Sequence, residues 1–317
     1  MKSIFQKSAL RLICLALMLF PVLVTGQSKI KSVLKNEFDF SAKPTQKIQY
    51  FTMESTMNSY TPDGKTAETF TLKLALKAVP AKIAKKEFDE YTCLSFKIQY
   101  GDSLEVAIPE LTNWSYEFKN GLDSINQVFG IDHRKFDNLK DDRGKALRQD
   151  YSYHVYNTFI DFHAFCNVFG EPTPEGQGIQ HLKKIGQKII HASANSQPPT
   201  HLGDNIAEGS FFKNGEIKLE FKGLSLVKNE ECALFGVDSG ESSFKMIMKM
   251  SENFEVVTVG GSHYQGDIYK SLSSGLVQKV CFSEMVLSET TLPVPQNNIN
   301  SVVERNIVIM NLNETQH

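Results

Sequence analysis

Apolar and polar positions alternate along most of this chain. Phe70, Leu72, Leu74 and Leu76 interleave with Thr69, Thr71, Lys73, Ala75 and Lys77. Leu94, Phe96, Ile98 and Tyr100 do the same against Cys93, Ser95, Lys97 and Gln99. A period of two sorts side chains onto opposite faces of a strand, so each segment predicts a strand with one dry face. Ile48 to Met57 supplies a partner strand. Pro62-Asp63-Gly64 suits the hairpin turn that follows it, because Asp-Gly accepts positive φ.

From about Ser210 to Leu312 the pattern is strand after strand. Ile217, Leu219 and Phe221 alternate with Lys218, Glu220 and Lys222, and Phe244, Met246, Met248 and Met250 alternate with Lys245, Ile247 and Lys249. Shorter runs follow at 254–259, 267–272, 276–287 and 302–312, several of them separated by Gly or Ser-Gly. Strands joined by short turns pair antiparallel, since a parallel return needs a long crossover. The expectation is an α+β, β-rich fold: large antiparallel meander sheets, wet on one face, with a helical segment from mid-chain covering the apolar face. A faint echo between "EYTCLSFKIQYGDSLEV" from Glu90 and "EECALFGVDSGESSFKM" from Glu230 allows two related β-units.

Two segments offer the covering helix. In "QHLKKIGQKIIHA", Ile179, Leu182, Ile185 and Ile189 fall at helical spacing opposite Lys183, Lys184 and Lys188. In "DYSYHVYNTFIDFHAFCNVFG", His154, Asn157, Thr158 and Asp161 make one polar stripe, with Phe159, Phe162, Cys166 and Phe169 opposite and His163 at their edge; Pro172 and Pro174 end it. The expected organisation is a signal peptide over 1–26, a loose lead-in over 27–45, an N-terminal β-unit over 46–130, a mainly helical connection over 131–200 and a C-terminal β-unit over 201–317.

The N-terminus carries the export reading. Lys2, Lys7 and Arg11 precede an uncharged, mostly apolar run from Leu12 to Val24, and Val24 and Gly26 are the small residues a signal peptidase needs, so cleavage is expected after Gly26. The run is short for a bilayer span of about 20 residues, and no later segment is apolar for long enough. The expected product is soluble, in the periplasm or outside the cell. Losing three basic residues and no acidic one takes the net charge from −2 to −5. With no clustered basic face, nucleic acid is not an expected partner. Four cysteines remain, Cys93, Cys166, Cys232 and Cys281; an even count in an exported chain fits disulfides, with three connectivities open.

Candidate chemistry is sparse. On one helix, His154 and Asp161 lie about 10 Å apart along the axis, and His163 and Cys166 lie on another face, so core packing is the expected role of that segment and no metal site is assigned. Ser262, His263 and Asp267 are close in sequence, but neighbours along a strand point to opposite faces, and the Gly-x-Ser-x-Gly elbow is absent. Ser242-Ser243-Phe244-Lys245 contains Ser-x-x-Lys, but at a strand start rather than a helix start. Asp137, Asp141, Asp142 and Asp150 do not follow the calcium-loop order. Asn113-Trp114-Ser115 and Asn313-Glu314-Thr315 are glycosylation acceptor triplets. The expectation is a non-catalytic binding or structural module without a cofactor. Trp114, Met246, Met248 and Met250 are the candidate contacts for an apolar small molecule or peptide, because methionine adapts its shape to varied surfaces. The alternative is an exported hydrolase with dispersed acid–base residues, nominally Glu220, Asp238, His263 and Asp267.

Overall fold

The computed structural model describes residues 36–120, 122–124, 127–197, 206–251, 254–293 and 296–312. The expected signal peptide, the expected lead-in up to residue 35 and the Asn313 acceptor triplet lie outside them. The strands are β1 (Gln49–Tyr60), β2 (Thr66–Val79), β3 (Glu90–Tyr100), β4 (Val106–Ala107), β5 (Trp114–Glu117), β6 (Leu122–Ser124), β7 (Gln127–Val128), β8 (Ile131–Asp132), β9 (Lys188–Ile190), β10 (Phe211–Lys213), β11 (Lys218–Val227), β12 (Glu230–Asp238), β13 (Ser243–Ser251), β14 (Phe254–Ser271), β15 (Val277–Pro293) and β16 (Gln296–Leu312). One long helix, α1 (Gln149–His163), runs into a π-helical turn, Ala164–Val168.

Thirteen strands form one antiparallel sheet in the order β4-β3-β2-β1-β16-β15-β14-β12-β11-β9, with β5 on β3 and β10 on β13; β6, β7 and β8 pair separately. The two strand-rich stretches of sequence thus meet where β16 pairs with β1, from Tyr50↔Leu312 to Tyr60↔Val302. Register shows how closely they are joined. Phe221, Phe235, Ile268, Val280, Ile309, Met53, Leu74 and Phe96 stand side by side on eight successive strands. All eight are at most 2% exposed. An unbroken apolar row across both stretches buries one core rather than two.

Helix α1 lies on that inner face. Tyr151 meets Phe70 at 5.1 Å, Phe159 stacks on Phe96 at 5.7 Å and Phe162 meets Phe51 at 5.1 Å; beyond the helix Phe165 stacks on Phe282 at 4.1 Å. The far side of α1 is covered as well, by Phe136, 5.4 Å from both Tyr156 and Phe159. This explains why the polar stripe expected on α1 is not a solvent face. Thr158 is 1% exposed, and its hydroxyl donates to the His154 carbonyl at 2.9 Å, a bond made within the helix.

The second expected helix does not form. Ile179–His181 is a single 3₁₀ turn, Gly186 takes φ 84°, and Lys188–Ile190 is strand β9 pairing with β11. Ile179 and Leu182 are buried, as their spacing requires, but a left-handed glycine in mid-segment breaks the helical ladder. The described part of the lead-in, by contrast, is anchored. Phe40 is buried and packs edge-on to Phe221 and Phe235, and the Phe38 N–H donates to the Lys183 carbonyl at 2.8 Å.

Strand β14 changes partner part-way along. Residues 265–271 pair with β12 and 254–260 with β13, so the sheet forks at Gly260-Gly261. A Cβ at Gly260 would sit 2.4 Å from the Leu287 carbonyl and 2.7 Å from the Phe244 ring; one at Gly261 would sit 2.5 Å from the Ser242 carbonyl. Only glycine lets the β13 branch close onto β14 there. Ser242 holds the fork. It is buried, its hydroxyl lies 2.9 Å from that of Ser262, and it accepts from the Ser262 N–H at 3.0 Å. Past the fork β13, β14, β15 and β16 continue as a four-stranded blade.

Candidate functional site

Across β14, β15 and β16 the dry face ends in a line of polar residues. Tyr264, Glu284, Arg305 and Met57 are neighbours across β14, β15, β16 and β1. Glu284 and Arg305 occupy the inward phase of strands whose other inward residues include Val280, Phe282, Ile307 and Ile309. Arg305 donates from Nε to Glu284 at 2.7 Å and from Nη1 to Asp161 of α1. Side-chain exposures of 14%, 12% and 18% for Arg305, Glu284 and Asp161 leave the three largely out of water. Burial pushes the Asp161 carboxyl up to about 6, opposed by the Arg305 charge. Burial also works against the Arg305 charge, but Asp161 and Glu284 together hold it more firmly than usual. The cluster bolts α1 to the sheet at the foot of the blade.

A second polar chain lies deeper. His163 is fully buried; its Nδ1 is 2.9 Å from Asn167 Oδ1, its Nε2 is 2.8 Å from the Tyr116 hydroxyl, and Asn167 Nδ2 donates to the Tyr91 hydroxyl at 3.0 Å. An amide oxygen only accepts, so Nδ1 carries the proton and Nε2 accepts from Tyr116. Burial lowers the His163 pKa to about 3 from 6.5, with the Asn167 bond opposing. The sign follows. The unfolded chain takes up a proton below pH 6.5 that the native chain refuses, so this residue's contribution is present above pH 6.5 and is lost as pH falls. Going from pH 6.5 to 5 costs about 2 kcal/mol through His163 alone. His191, lowered by burial to about 4, acts in the same direction; Asp161, raised, acts in the opposite direction as pH rises from about 4 to 6. A His163→Asn variant isolates the effect: its stability deficit in urea unfolding should shrink by about 2 kcal/mol between pH 7 and pH 5. A deficit independent of pH would mean that His163 takes up its proton as readily in the native state as in the unfolded chain.

The third cluster is Lys270, 2% exposed, which donates to the Gly170 carbonyl at 2.9 Å and to Glu171 at 2.8 Å. Burial lowers the Lys270 pKa and raises that of Glu171, each opposed by the other's charge. Cys93, Cys166, Cys232 and Cys281 are free thiols rather than the disulfides their even count allows, and burial pushes Cys93 up to about 12.

The residues singled out by sequence are dispersed. His154 sits against Phe70 with ring centres 5.4 Å apart, while Asp161 binds Arg305 and His163 binds Tyr116 and Asn167, so the three serve different contacts. His263 bonds Asp238 at 2.9 Å on an exposed face, whereas the adjacent Ser262 is buried. Asp267 pairs with Lys222 at 2.6 Å, and Glu220 with Lys188 at 3.2 Å. Asp141 caps a turn, accepting from the backbone of Arg143 and Lys145. Trp114 packs among Tyr116, Phe136 and Phe159, with ring centres 4.8–5.6 Å apart. Among the described residues no group of three or more His, Cys, Asp or Glu is placed to hold a metal ion.

The methionines are on the blade. Met246, Thr258, Thr290 and Ile299 are side-by-side neighbours on its inner face, the two threonine hydroxyls 2.9 Å apart. Phe244 lies in the next row, opposite Gly260, and Met248 lies opposite Val256. Phe244, Met246 and Met248 are half-buried, and Ile299 is 47% exposed. The Met250 side chain lies outside the described set. The outer face bears a shallow open depression of about 330 Å³ lined by Val259, Leu287, Glu289 and Val302 among others; Leu287 is 54% exposed and Met285, nearby, 52%. The blade therefore shows apolar side chains on both faces.

The clusters around Arg305, Lys270 and His163 were not legible as clusters, yet two left a trace. A charged residue in the apolar phase of an alternating strand, as at Glu284, Arg305 and Lys270, needs a buried partner.

No family model matches the chain, and no curated protein matches it. Of solved structures, the outer membrane protein OpdK of Pseudomonas aeruginosa aligns over 85% of this chain and all of its own, at 5% identity and a TM-score of 0.15. OmpF of Salmonella typhi, solved in complex with daunomycin, aligns over 87% of this chain and all of its own, at 7% identity and a TM-score of 0.14. At those scores neither likeness bears on fold or function. No helix among the described residues is long and apolar enough to cross a membrane, a statement that does not extend to strands.

Proposed function

We propose that the protein is a non-catalytic binding module, exported by a signal peptide cleaved after Gly26 to the periplasm or cell surface, whose blade receives an apolar small molecule or peptide. The observation that carries this reading is the contrast between the two halves of the inner face. Over Phe51, Phe70, Phe96 and Phe282 it is covered by α1 and the π-helical turn that follows, whereas Phe244, Met246, Met248 and Ile299 stand beyond them, half-buried or exposed. Flexible thioethers beside threonine hydroxyls suit a ligand with an oily body and a few polar atoms. The prominent ionisable groups support the same reading, being engaged in bolting elements together rather than converging on a cleft.

Native mass spectrometry of the protein purified from its own host tests the proposal. The expected spectrum shows a mature chain beginning at Gln27 with an additional non-covalent mass, and a Met246→Gln variant that loses that mass while keeping its melting temperature. A bare chain that also fails to bind an apolar fluorescent probe would overturn the binding role. A chain retaining residues 1–26 would overturn the export reading separately.

A further inference from the structure

Strand β16 outruns its neighbour. It pairs with β15 over almost its whole length, from Pro293↔Gln296 to Lys279↔Met310, with no register shift. Its pairing with β1 stops at Tyr60↔Val302. Among the described residues, 296–301 therefore have a strand on one side only, and there their outer backbone groups form a free edge. Asn297, Asn298, Ile299 and Asn300 are exposed. The segment reads Gln-Asn-Asn-Ile-Asn-Ser, without proline or charge. Soluble proteins usually blunt such an edge with lysine, proline or a bulge. Two other strand margins of this sheet are blunted or covered. Past β9, β11 is broken by a bulge at Gly223 and flanked by Lys222 and Lys228, and the margin of β13 is occupied by β10 and by a bridge from Ile206.

We propose that two copies of this chain join edge to edge through Asn297–Ser301 of β16, antiparallel about a two-fold axis at Ile299. Antiparallel neighbours directly opposite one another point to the same face, so a two-fold axis normal to the sheet must pass through a residue position. Centred on Asn298, the axis would set Ile299 against Asn297; centred on Asn300, it would set Ile299 against Ser301. Centred on Ile299, it sets Ile299 against the partner subunit's Ile299, Asn298 against the partner subunit's Asn300, and Asn297 against the partner subunit's Ser301. Apolar then meets apolar, and every amide meets a group that can both donate and accept. No like charges are brought together, although the chain as a whole is acidic. The row Met246–Thr258–Thr290–Ile299 would run on into its copy, doubling the width of the blade's inner face. This inference does not depend on the ligand-binding role.

An edge of about five residues is small, so the association is weak and concentration-dependent. Sedimentation equilibrium of the full mature chain from about 1 to 500 µM tests it. The mass should rise toward that of two chains, and Ile299→Lys, which opposes two charges at the axis, should weaken association at least about tenfold. Ile299 is nearly half exposed, so the monomer fold tolerates that change. In a Cys281→Ser background, Ile299→Cys should give an oxidised covalent dimer, because directly opposed Cα atoms lie about 4.5–5.5 Å apart, within the range a disulfide spans. Asn300→Cys, two residues out of register with its own copy, should not. A mass that stays monomeric throughout overturns the proposal. So does a dimer that Ile299→Lys leaves intact, or one in which Asn300→Cys cross-links as readily as Ile299→Cys.

Discussion

Replacing Arg305 with leucine is expected to destabilise the protein by about 3–5 kcal/mol. The guanidinium is the shared counter-charge of Asp161 and Glu284, and all three side chains are under a fifth exposed. Without it, two carboxylates face each other out of water, one of them already reluctant to ionise. The penalty comes from those uncompensated charges rather than from the lost packing. Adding Asp161→Asn and Glu284→Gln to Arg305→Leu should therefore recover most of the loss, because neutral partners carry no such desolvation cost. Urea unfolding followed by the fluorescence of Trp114, the single tryptophan, reads both variants. A cost under about 1 kcal/mol for Arg305→Leu would place the cluster among solvent-screened surface pairs and remove its role as the bolt between α1 and the sheet.

Lys270→Met is expected to be of similar size, again about 3–5 kcal/mol, by the same physics in a tighter setting. The ammonium is 2% exposed, and it supplies the bonds to Gly170 O and Glu171 Oε1 just beyond the π-helical turn. The other carboxylate oxygen of Glu171 is buried with no hydrogen-bond partner among the described residues, so the pair has little reserve. A Lys270→Met/Glu171→Gln double variant should regain more than half of the stability lost by Lys270→Met. If the double variant is as unstable as the single, the cost lies in the loss of the Gly170 carbonyl bond and of packing, not in a stranded charge.

How much of this was readable in advance follows from what each pattern encodes. Alternation identified β2, β3, β11 and β13, because period two records burial one strand at a time. It could not show that β1 pairs with β16, a contact spanning almost the whole described chain, since nothing local distinguishes a strand that continues a sheet from one that starts another. The aromatic segment 150–170 was read correctly as a helix burying its rings, but its polar stripe was misplaced. Periodicity assumes one wet face, and α1 has a second covering layer led by Phe136. The segment 179–189 misled for a related reason. Its apolar residues have helical spacing, yet Gly186 and the free margin of β11 turn it into a strand, a tertiary preference overriding a local one. The methionine row was visible as a row, but its position beyond the helix depends on the fork at Gly260-Gly261. That consecutive glycine pair reads as a separator between strands and is instead the point where β14 changes partner.

Strands from opposite ends of the described chain share a single core row, from Phe221 through Ile309 and Met53 to Phe96. Native-state hydrogen exchange followed by mass spectrometry tests it most directly. Peptides covering β1 (Gln49–Tyr60) and the paired part of β16 (302–312) should open with one common free energy, equal to that of global unfolding, and should lose it together in Arg305→Leu. If β16 stays protected with β14 and β15 while β1 exchanges with β2 and β3 in a separate, cheaper opening, the sheet divides at that seam and the single core does not exist.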